Sequence, residues 1–194
     1  MAIIVASQAP ALEFGGHDYW MLYDDFGNKV GELHGFAMNN GQITTTAVSG
    51  TLYATDQYTM PVTNAPFETV LQGTLTELMP FWNAGVECAN VISSLNLSYN
   101  AFSIDSLGFN SNTVYSTIGA CFGVVAPNVG SIFTPTPGFG ELILSGSAIS
   151  EVQTTFGISG GPGKFRPKEE IDYPQFMGES HAIQVVGVDL QYAV

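Results

Sequence analysis

The sequence contains very few basic residues: 4 Lys and Arg stand against 17 Asp and Glu in 194 residues, a formal net charge of −13. Lys29 is the only basic residue before Lys164. Nucleic-acid binding relies on Lys and Arg to displace counterions from phosphates, so we expect no nucleic-acid partner. An anionic membrane surface is disfavoured for the same reason. The acidic surplus is an ordinary means of keeping a chain soluble.

Long apolar runs are also missing, and no window approaches the roughly 18 apolar residues of a transmembrane helix. Residues 1–6 lack the basic n-region and the full-length apolar h-region of a signal peptide. We therefore expect synthesis in the cytosol and a cytoplasmic location by default. Export by a route that needs no signal peptide is left open.

Cysteine is scarce, and the two that are present, Cys88 and Cys121, cannot form a disulfide framework. Both lie in apolar stretches, which favours packed thiols and leaves a reactive thiol or a single bridge as alternatives. Hydrophobic residues make up 45% of the chain. A chain of this length buries roughly 70% of its unfolded surface, so we expect one domain that needs no metal or disulfide to hold it together. We also expect no cofactor.

Alternating apolar residues predict a β-hairpin near the N-terminus, with strands over residues 18–24 and 29–36. Residues 25–28, Asp-Phe-Gly-Asn, supply the turn, because Gly and Asn tolerate positive φ. Further strands are expected over residues 3–6, and one or two over residues 43–54.

Helical spacing of apolar residues follows Pro80 and predicts a helix over residues 81–95. A second helix is predicted over residues 111–122, with Asn110 as its N-cap and Gly123 as its C-terminal stop.

The remaining segments read as loops and strands. Residues 98–109 and the proline-rich residues 126–140 are expected to be irregular. Strands are expected over residues 142–144, 151–158 and 182–192. The pattern as a whole predicts the α+β class.

Two histidines are brought together by the predicted hairpin. His17 opens one strand and His34 lies near the close of the other, joined by Asp18 and Glu32. An imidazole can take and return a proton near neutral pH, so these residues are candidates for acid–base catalysis. Ordinary hairpin ends that happen to contain His are the alternative. A metal site is not expected, because the spacing is not a recognised zinc pattern.

The start of the second helix places Ser111 between Asn110 and Asn112. A hydroxyl there lies beside unpaired backbone N–H groups and the positive end of the helix dipole. This position suits a nucleophile, since the same amides can hold a developing oxyanion. It suits a plain helix cap equally well.

The combination resembles the circularly permuted papain-like superfamily, which includes lecithin:retinol acyltransferase-like enzymes and bacterial amidase- or toxin-type domains. Residues 16–23, Gly-His-Asp-Tyr-Trp-Met-Leu-Tyr, match the strand that carries the family's His. Residues 99–100, Tyr-Asn, and residues 110–113, Asn-Ser-Asn-Thr, match the nucleophile region. Residues 136–140, Thr-Pro-Gly-Phe-Gly, are similar to a Pro-Gly segment of toxin-like members. The resemblance covers roughly residues 15–142.

The resemblance implies a papain-like antiparallel sheet with packed helices over residues 1–142. Residues 143–194 then form a β-rich C-terminal extension packed on the same domain. Ser111 stands where the family usually has Cys, and a hydroxyl must be deprotonated during attack.

The resemblance also implies the roles of the site residues: Ser111 as nucleophile, His17 as base, His34 or a neighbouring carboxylate as orienter, and Asn110 and Asn112 around the oxyanion or substrate. We expect the His17 and Ser111 side chains within direct or one-water hydrogen-bond reach. The expected activity is hydrolysis or acyl transfer at an amide or ester of a small molecule, peptide, peptidoglycan fragment or lipid. The alternative is a non-catalytic binding module, such as an effector or surface component, that uses the same cleft.

Two further signals lie near the C-terminus. Residues 157–161 fit the G-x-S-x-G pattern, but Pro162 follows and prevents the helix that such a nucleophile elbow needs. Residues 164–168 gather three of the four basic residues. They are expected to form a solvated loop or a docking point for a protein partner.

Overall fold

The computed structural model describes residues 1–11, 15–61, 65–102, 108–129, 136–158, 167–172 and 184–188. In these ranges the first strands are β1 (Ala2–Ala11), β2 (Gly15–Tyr23), β3 (Lys29–Asn39), β4 (Gln42–Thr44), β5 (Ser49–Thr55) and β6 (Phe67–Gly73). They are followed by α1 (Leu75–Ser94), β7 (Ser98–Asn100), α2 (Ser111–Cys121), α3 (Gly146–Thr155), β8 (Pro167–Asp172) and β9 (Gln184–Val188).

Seven strands form one open sheet in the order β6-β1-β2-β3-β5-β7, with β4 paired to β3. Every pairing between these strands is antiparallel. β8 and β9 form a separate antiparallel pair. The predicted α+β class is therefore confirmed at the level of a mixed fold with an antiparallel sheet.

The N-terminal hairpin of β2 and β3 is confirmed. Its turn is held by the Asp24 carboxylate, which accepts hydrogen bonds from the backbone N–H groups of Phe26 and Asn28 at 2.9 and 2.8 Å. Gly27 has φ of 82°, a conformation that glycine adopts without steric cost.

The helices pack on one face of the sheet. Trp20 and Leu33 point to that face and share a core with Tyr115 and Ile149 from the helices. A smaller cluster on the opposite face contains Val5, Ala9, Tyr19 and Met21. Because successive side chains of a strand alternate between faces, these two clusters identify the direction in which every β2 residue points.

Both predicted helices are present, and the bounds of α2 were predicted more accurately than those of α1. α2 begins and ends close to its predicted bounds, with Asn110 as N-cap. α1 begins six residues before its predicted start, at Leu75 rather than at residue 81, because Thr74 and Glu77 form a reciprocal capping box. Pro80 is accommodated inside this helix.

The strand predicted over residues 151–158 is wrong, because most of that segment belongs to α3. Ser145 caps this helix, and its buried side chains, Ile149, Val152 and Gln153, recur at helical spacing. Residues 142–144 form no strand either. Leu144 and Ile149 share the core of α1 and α2.

Other predicted segments differ in part. The expected loop over residues 98–109 begins with β7, and β6 and β8 were not predicted. β9 lies inside the strand predicted over residues 182–192. Ser159, Lys164 and Arg166 lie outside the described residues. No helix in the described ranges has both the length and the apolar character needed to cross a membrane.

Candidate active site

A chain of hydrogen bonds links three buried side chains on the face of the sheet opposite the helices. His17 Nε2 lies 3.0 Å from His34 Nδ1, and His34 Nε2 lies 2.7 Å from Glu32 Oε2. Glu32 also accepts from Lys29 Nζ and, at 2.6 Å, from the backbone N–H of Met60. The hairpin therefore brings both histidines into direct contact.

Aromatic rings hold the two imidazoles in parallel planes. The rings of His17 and His34 are nearly coplanar, with an interplanar angle of 9° and centroids 5.3 Å apart, and His17 lies parallel to Phe36 within 15°. Tyr19 stacks on His34 with ring centroids 4.6 Å apart, and Tyr58 meets the edge of the same ring. This packing restricts rotation of both rings, so the hydrogen-bonded arrangement is preorganised.

Burial and hydrogen bonding together determine the charge states of His17, His34 and Glu32. Burial lowers the pKa of His17 well below its usual range, and the neighbouring His34 lowers it further. Burial also lowers the pKa of His34, although the bond to Glu32 opposes this effect. Burial acts to raise the pKa of Glu32, but hydrogen bonds from His34, Lys29 and Met60 hold it below its usual value. At neutral pH His17 and His34 are therefore neutral imidazoles and Glu32 is a carboxylate.

These charge states fix the tautomers. A carboxylate only accepts, so His34 Nε2 carries the proton that Glu32 binds. A neutral imidazole has one N–H, so His34 Nδ1 accepts and His17 Nε2 donates. Nδ1 of His17 is then an unprotonated lone pair, and it has no hydrogen-bond partner among the described residues. The arrangement leaves one nitrogen that can accept a proton, as a general base must, but burial and His34 make it a weaker base than a free imidazole.

The strands β2 and β3 stop pairing close to the two histidines. β2 and β3 pair only between Trp20 and Leu33 at one end and Tyr23 and Lys29 at the other. Beyond Trp20, β2 pairs with β1 alone, and beyond Leu33, β3 pairs with β5. A split therefore opens between the two strands at the level of the histidines.

The start of α2 fills this split from the helix side. The Asn112 side chain accepts from Asp18 N–H at 3.0 Å and donates to the Gly16 carbonyl at 3.2 Å, on either side of His17. A Cβ on Gly35 would lie 3.1 Å from Ser111 Cα, so the missing side chain lets α2 approach β3. Ser111 thereby reaches the split.

Ser111 and His17 approach the split from opposite faces of the sheet. Gly35 faces α2, so its neighbour His34, and with it His17, faces away. In the described part of the chain no hydrogen bond joins His17 to Ser111. The Ser111 hydroxyl instead lies 3.5 Å from Asn112 Oδ1. The expected direct hydrogen bond is therefore missing from this structure, and contact through one water stays a prediction.

Asn110 uses its side chain as a cap. Its Oδ1 accepts from the N–H groups of Asn112 and Thr113 at 2.9 and 3.1 Å, and its Nδ2 donates to Ala101 and Pro137 carbonyls. With Asn112 bonded to β2, both amide side chains position the helix start. Their expected role at an oxyanion would require these bonds to be exchanged.

Tyr99 of β7 is the neighbour that the sequence reasoning gave no role. Burial raises the pKa of its phenol, while interactions with the hydroxyl and the backbone N–H of Ser111 act in the opposite direction. The backbone N–H and the hydroxyl of Ser111 thus both interact with the Tyr99 phenol. The Tyr99-Asn100 pair in the sequence was the available signal.

Lys29 and Gly35 were also missed. Lys29 binds the Glu32 carboxylate. The sequence feature that could have identified Lys29 is that no other basic residue precedes Lys164. Gly35 carried only the general signal that a glycine inside a strand marks a close approach. Across the described ranges, no group of three or more His, Cys, Asp or Glu is arranged to hold a metal ion.

No family model, no curated protein and no solved structure matches this chain. A function for this chain must therefore be inferred from the geometry of the site.

Proposed function

We propose that this chain is a serine-type hydrolase or acyltransferase that acts on an amide or ester, with Ser111 as nucleophile and His17 as general base. The observation that carries the proposal is the series of hydrogen bonds from His17 through His34 to Glu32, from which we infer an unprotonated Nδ1 on His17. The permuted papain-like relationship is part of the proposal. The order of a histidine strand, its hairpin partner and a serine-opened helix supports it.

In the proposed reaction, Ser111 Oγ leaves Asn112 Oδ1, which lies 3.5 Å away, and approaches His17 through the split. Nδ1 of His17 then accepts the hydroxyl proton while Oγ bonds to the substrate carbonyl carbon. The imidazolium returns that proton to the leaving amine or alcohol, and an acyl ester remains on Ser111. Water, or a second alcohol or amine, takes the acyl group by the reverse sequence.

The surroundings of Ser111 support stabilisation of the intermediate. The proposed donors to the oxyanion are the Ser111 N–H at the helix start, which interacts with the Tyr99 phenol in this structure, and the Tyr99 hydroxyl. Donors at a helix N-terminus favour negative charge through the helix dipole. A small molecule, peptide, peptidoglycan fragment or lipid ester can supply the acyl group.

A fluorophosphonate probe tests the proposal, because it reacts only with an activated serine. The probe must be small, since Ser111 and His17 are only 6% and 4% exposed. The wild type should be labelled, and Ser111→Ala and His17→Ala should each remove the label. Ser116→Ala is the matched control, since Ser116 is a buried serine of the same helix whose hydroxyl bonds to the Asn112 carbonyl.

A binding module that lacks catalysis is the second candidate. The observation in its favour is that the Ser111 hydroxyl faces Asn112 and Tyr99 rather than His17. A folded wild type that takes no label would support this candidate and contradict the hydrolase.

A further inference from the structure

The hydrogen-bonded series of His17, His34 and Glu32 has its carboxylate at one end only. His17 Nε2 lies 3.0 Å from His34 Nδ1, and His34 Nε2 lies 2.7 Å from Glu32 Oε2. The two imidazole planes differ by 9°, so the proton between them lies close to both planes, as a hydrogen bond between ring nitrogens requires. Both nitrogens of His34 are therefore held by a partner. In the described part of the chain, only one nitrogen of His17 is.

The neighbours of the two rings favour a positive charge on His34 over one on His17. His34 touches the Glu32 carboxylate, whereas His17 bonds to no carboxylate among the described residues. Coulomb attraction falls with distance, and the centroid of the His17 ring lies 5.3 Å beyond that of His34. Burial lowers the pKa of both imidazoles, but only for His34 does a carboxylate oppose that effect.

The other charged and titratable groups around the rings do not reverse this preference. Lys29 is bound to the same carboxylate, and it lowers the pKa of His34 by less than the carboxylate raises it. Burial raises the pKa of the Tyr19 and Tyr23 phenols, so neither supplies a charge at neutral or acidic pH. Tyr58, on the segment after β5, contributes the edge of its ring to His34.

We propose that His34, and not His17, carries the positive charge that forms when His17 takes up a proton. As the proton arrives at His17 Nδ1, the proton on His17 Nε2 passes to His34 Nδ1. His17 ends as the neutral Nδ1–H tautomer, and His34 ends as an imidazolium against the Glu32 carboxylate. One N–H bond forms on each ring and one breaks on His17, so a single proton is gained and no other reactant is needed.

For the reaction of Ser111 this relay rests on the proposed function and explains how a weak base can serve it. Burial penalises a charge on His17 itself. In the relay the hydroxyl proton stays on His17 Nδ1, next to the leaving group, while the charge is one ring away and paired with a carboxylate. The reverse shift restores both tautomers when His17 gives up that proton. His34 is then a positioning residue that acts through His17.

Nitrogen NMR of the wild type on acidification tests the relay without any substrate. The first proton to enter the pair should convert His34 to an imidazolium and, with the same midpoint, move the His17 proton from Nε2 to Nδ1. An imidazolium on His17 beside a neutral His34 would overturn the proposal. So would acid unfolding while both rings are still neutral, or a charged His34 beside an unchanged His17 tautomer.

The fluorophosphonate adduct separates the relay from the proposed function. In the labelled wild type, we expect the same pair of signals, a charged His34 and a neutral His17. A protein that shows the shift on acidification but takes no label keeps the relay and loses the hydrolase. A protein that takes the label with the charge on His17 keeps the hydrolase and loses the relay.

His34→Gln separates the charge from the orientation of His17. A Gln amide can accept from His17 Nε2 and donate to Glu32, but it holds no proton. Labelling should slow on the order of tenfold or more if His34 carries the charge. Tyr58→Phe, which alters another group against the same ring, is the control and should be labelled at the wild-type rate. A folded His34→Gln variant labelled as fast as the wild type would overturn the relay.

Discussion

His17 Nε2 and His34 Nδ1 lie 3.0 Å apart between parallel rings. A neutral His34 donates its only ring N–H to Glu32. The proton between the two imidazoles is therefore carried by His17 Nε2. The direction of these hydrogen bonds is therefore set by Glu32, a carboxylate two residues from His34 that is also bound to Lys29. Replacing Glu32 should therefore change which nitrogen of His17 carries the proton.

Glu32→Gln tests this dependence. A Gln amide can donate as well as accept, so His34 and then His17 can take either tautomer. Nitrogen NMR of the imidazoles should show an unprotonated Nδ1 on His17 in the wild type and a mixture in the variant, with probe labelling at least about tenfold slower. Glu68→Gln, on a different strand, should leave both ring signals unchanged. A wild-type His17 protonated on Nδ1 would contradict the tautomer assignment.

Ser111→Cys tests the catalytic surroundings without a substrate. A thiol close to an unprotonated imidazole can be deprotonated, whereas Cys88 and Cys121 are fully buried. Iodoacetamide should therefore label the introduced thiol on the order of tenfold faster than either native thiol in the folded variant. Labelling no faster than that of a thiol in the unfolded variant would favour the binding module.

Asn110→Ala tests which residue caps α2. Asn110 makes two cap hydrogen bonds and two bonds to loop carbonyls. Its replacement should lower the free energy of unfolding by about 2 kcal/mol or more. Ser111→Ala should cost less than about 1 kcal/mol, since the cap remains. Urea unfolding of the two variants compares them, and the reverse order would make Ser111 the structural cap.

Asp18→Asn tests a buried carboxyl. Burial raises the pKa of Asp18 to about 6, against the effect of a hydrogen bond from Gln8, and Oδ2 has no partner among the described residues. The folded state therefore binds the proton more tightly than the unfolded state, so stability should fall as the pH rises from about 4 to 6. At pH 7 the variant should exceed the wild type by about 1–3 kcal/mol in unfolding free energy.

Asp24→Asn is the control with the opposite sign. Hydrogen bonds from Asn28 lower the pKa of Asp24, so this carboxylate stabilises the fold at neutral pH and the gain is lost on acidification. Equal pH profiles for the wild type and Asp18→Asn, measured by thermal unfolding from pH 4 to pH 8, would show that Asp18 is ionised without cost.

Local signals allowed the hairpin and α2 to be predicted. The turn at Gly27 and the cap at Asn110 each lie within a few residues of the element they define. The contact between His17 and His34 follows from the same hairpin. α3 was missed because Val152 and Thr154 favour strands locally, while burial of Ile149 and Val152 against α1 and α2 decides for a helix.

The relation of Ser111 to His17 could not be read from the sequence. It depends on where β2 and β3 separate and on the approach of α2 over Gly35, which are contacts between distant segments. The sequence predicted two side chains within direct or one-water hydrogen-bond reach. The structure places them on opposite faces of the sheet, and no hydrogen bond joins them in the described part of the chain.

The Asn112 side chain occupies the hydrogen-bonding position of a neighbouring strand, since it takes up Asp18 N–H and the Gly16 carbonyl as a peptide group would. Its Nδ2 also donates to the Pro137 carbonyl. Deamidation of this single residue would replace that donor with a charged oxygen facing two carbonyl oxygens. Chemical ageing at one amide would then weaken the connection between the helix that carries Ser111 and the strand that carries His17.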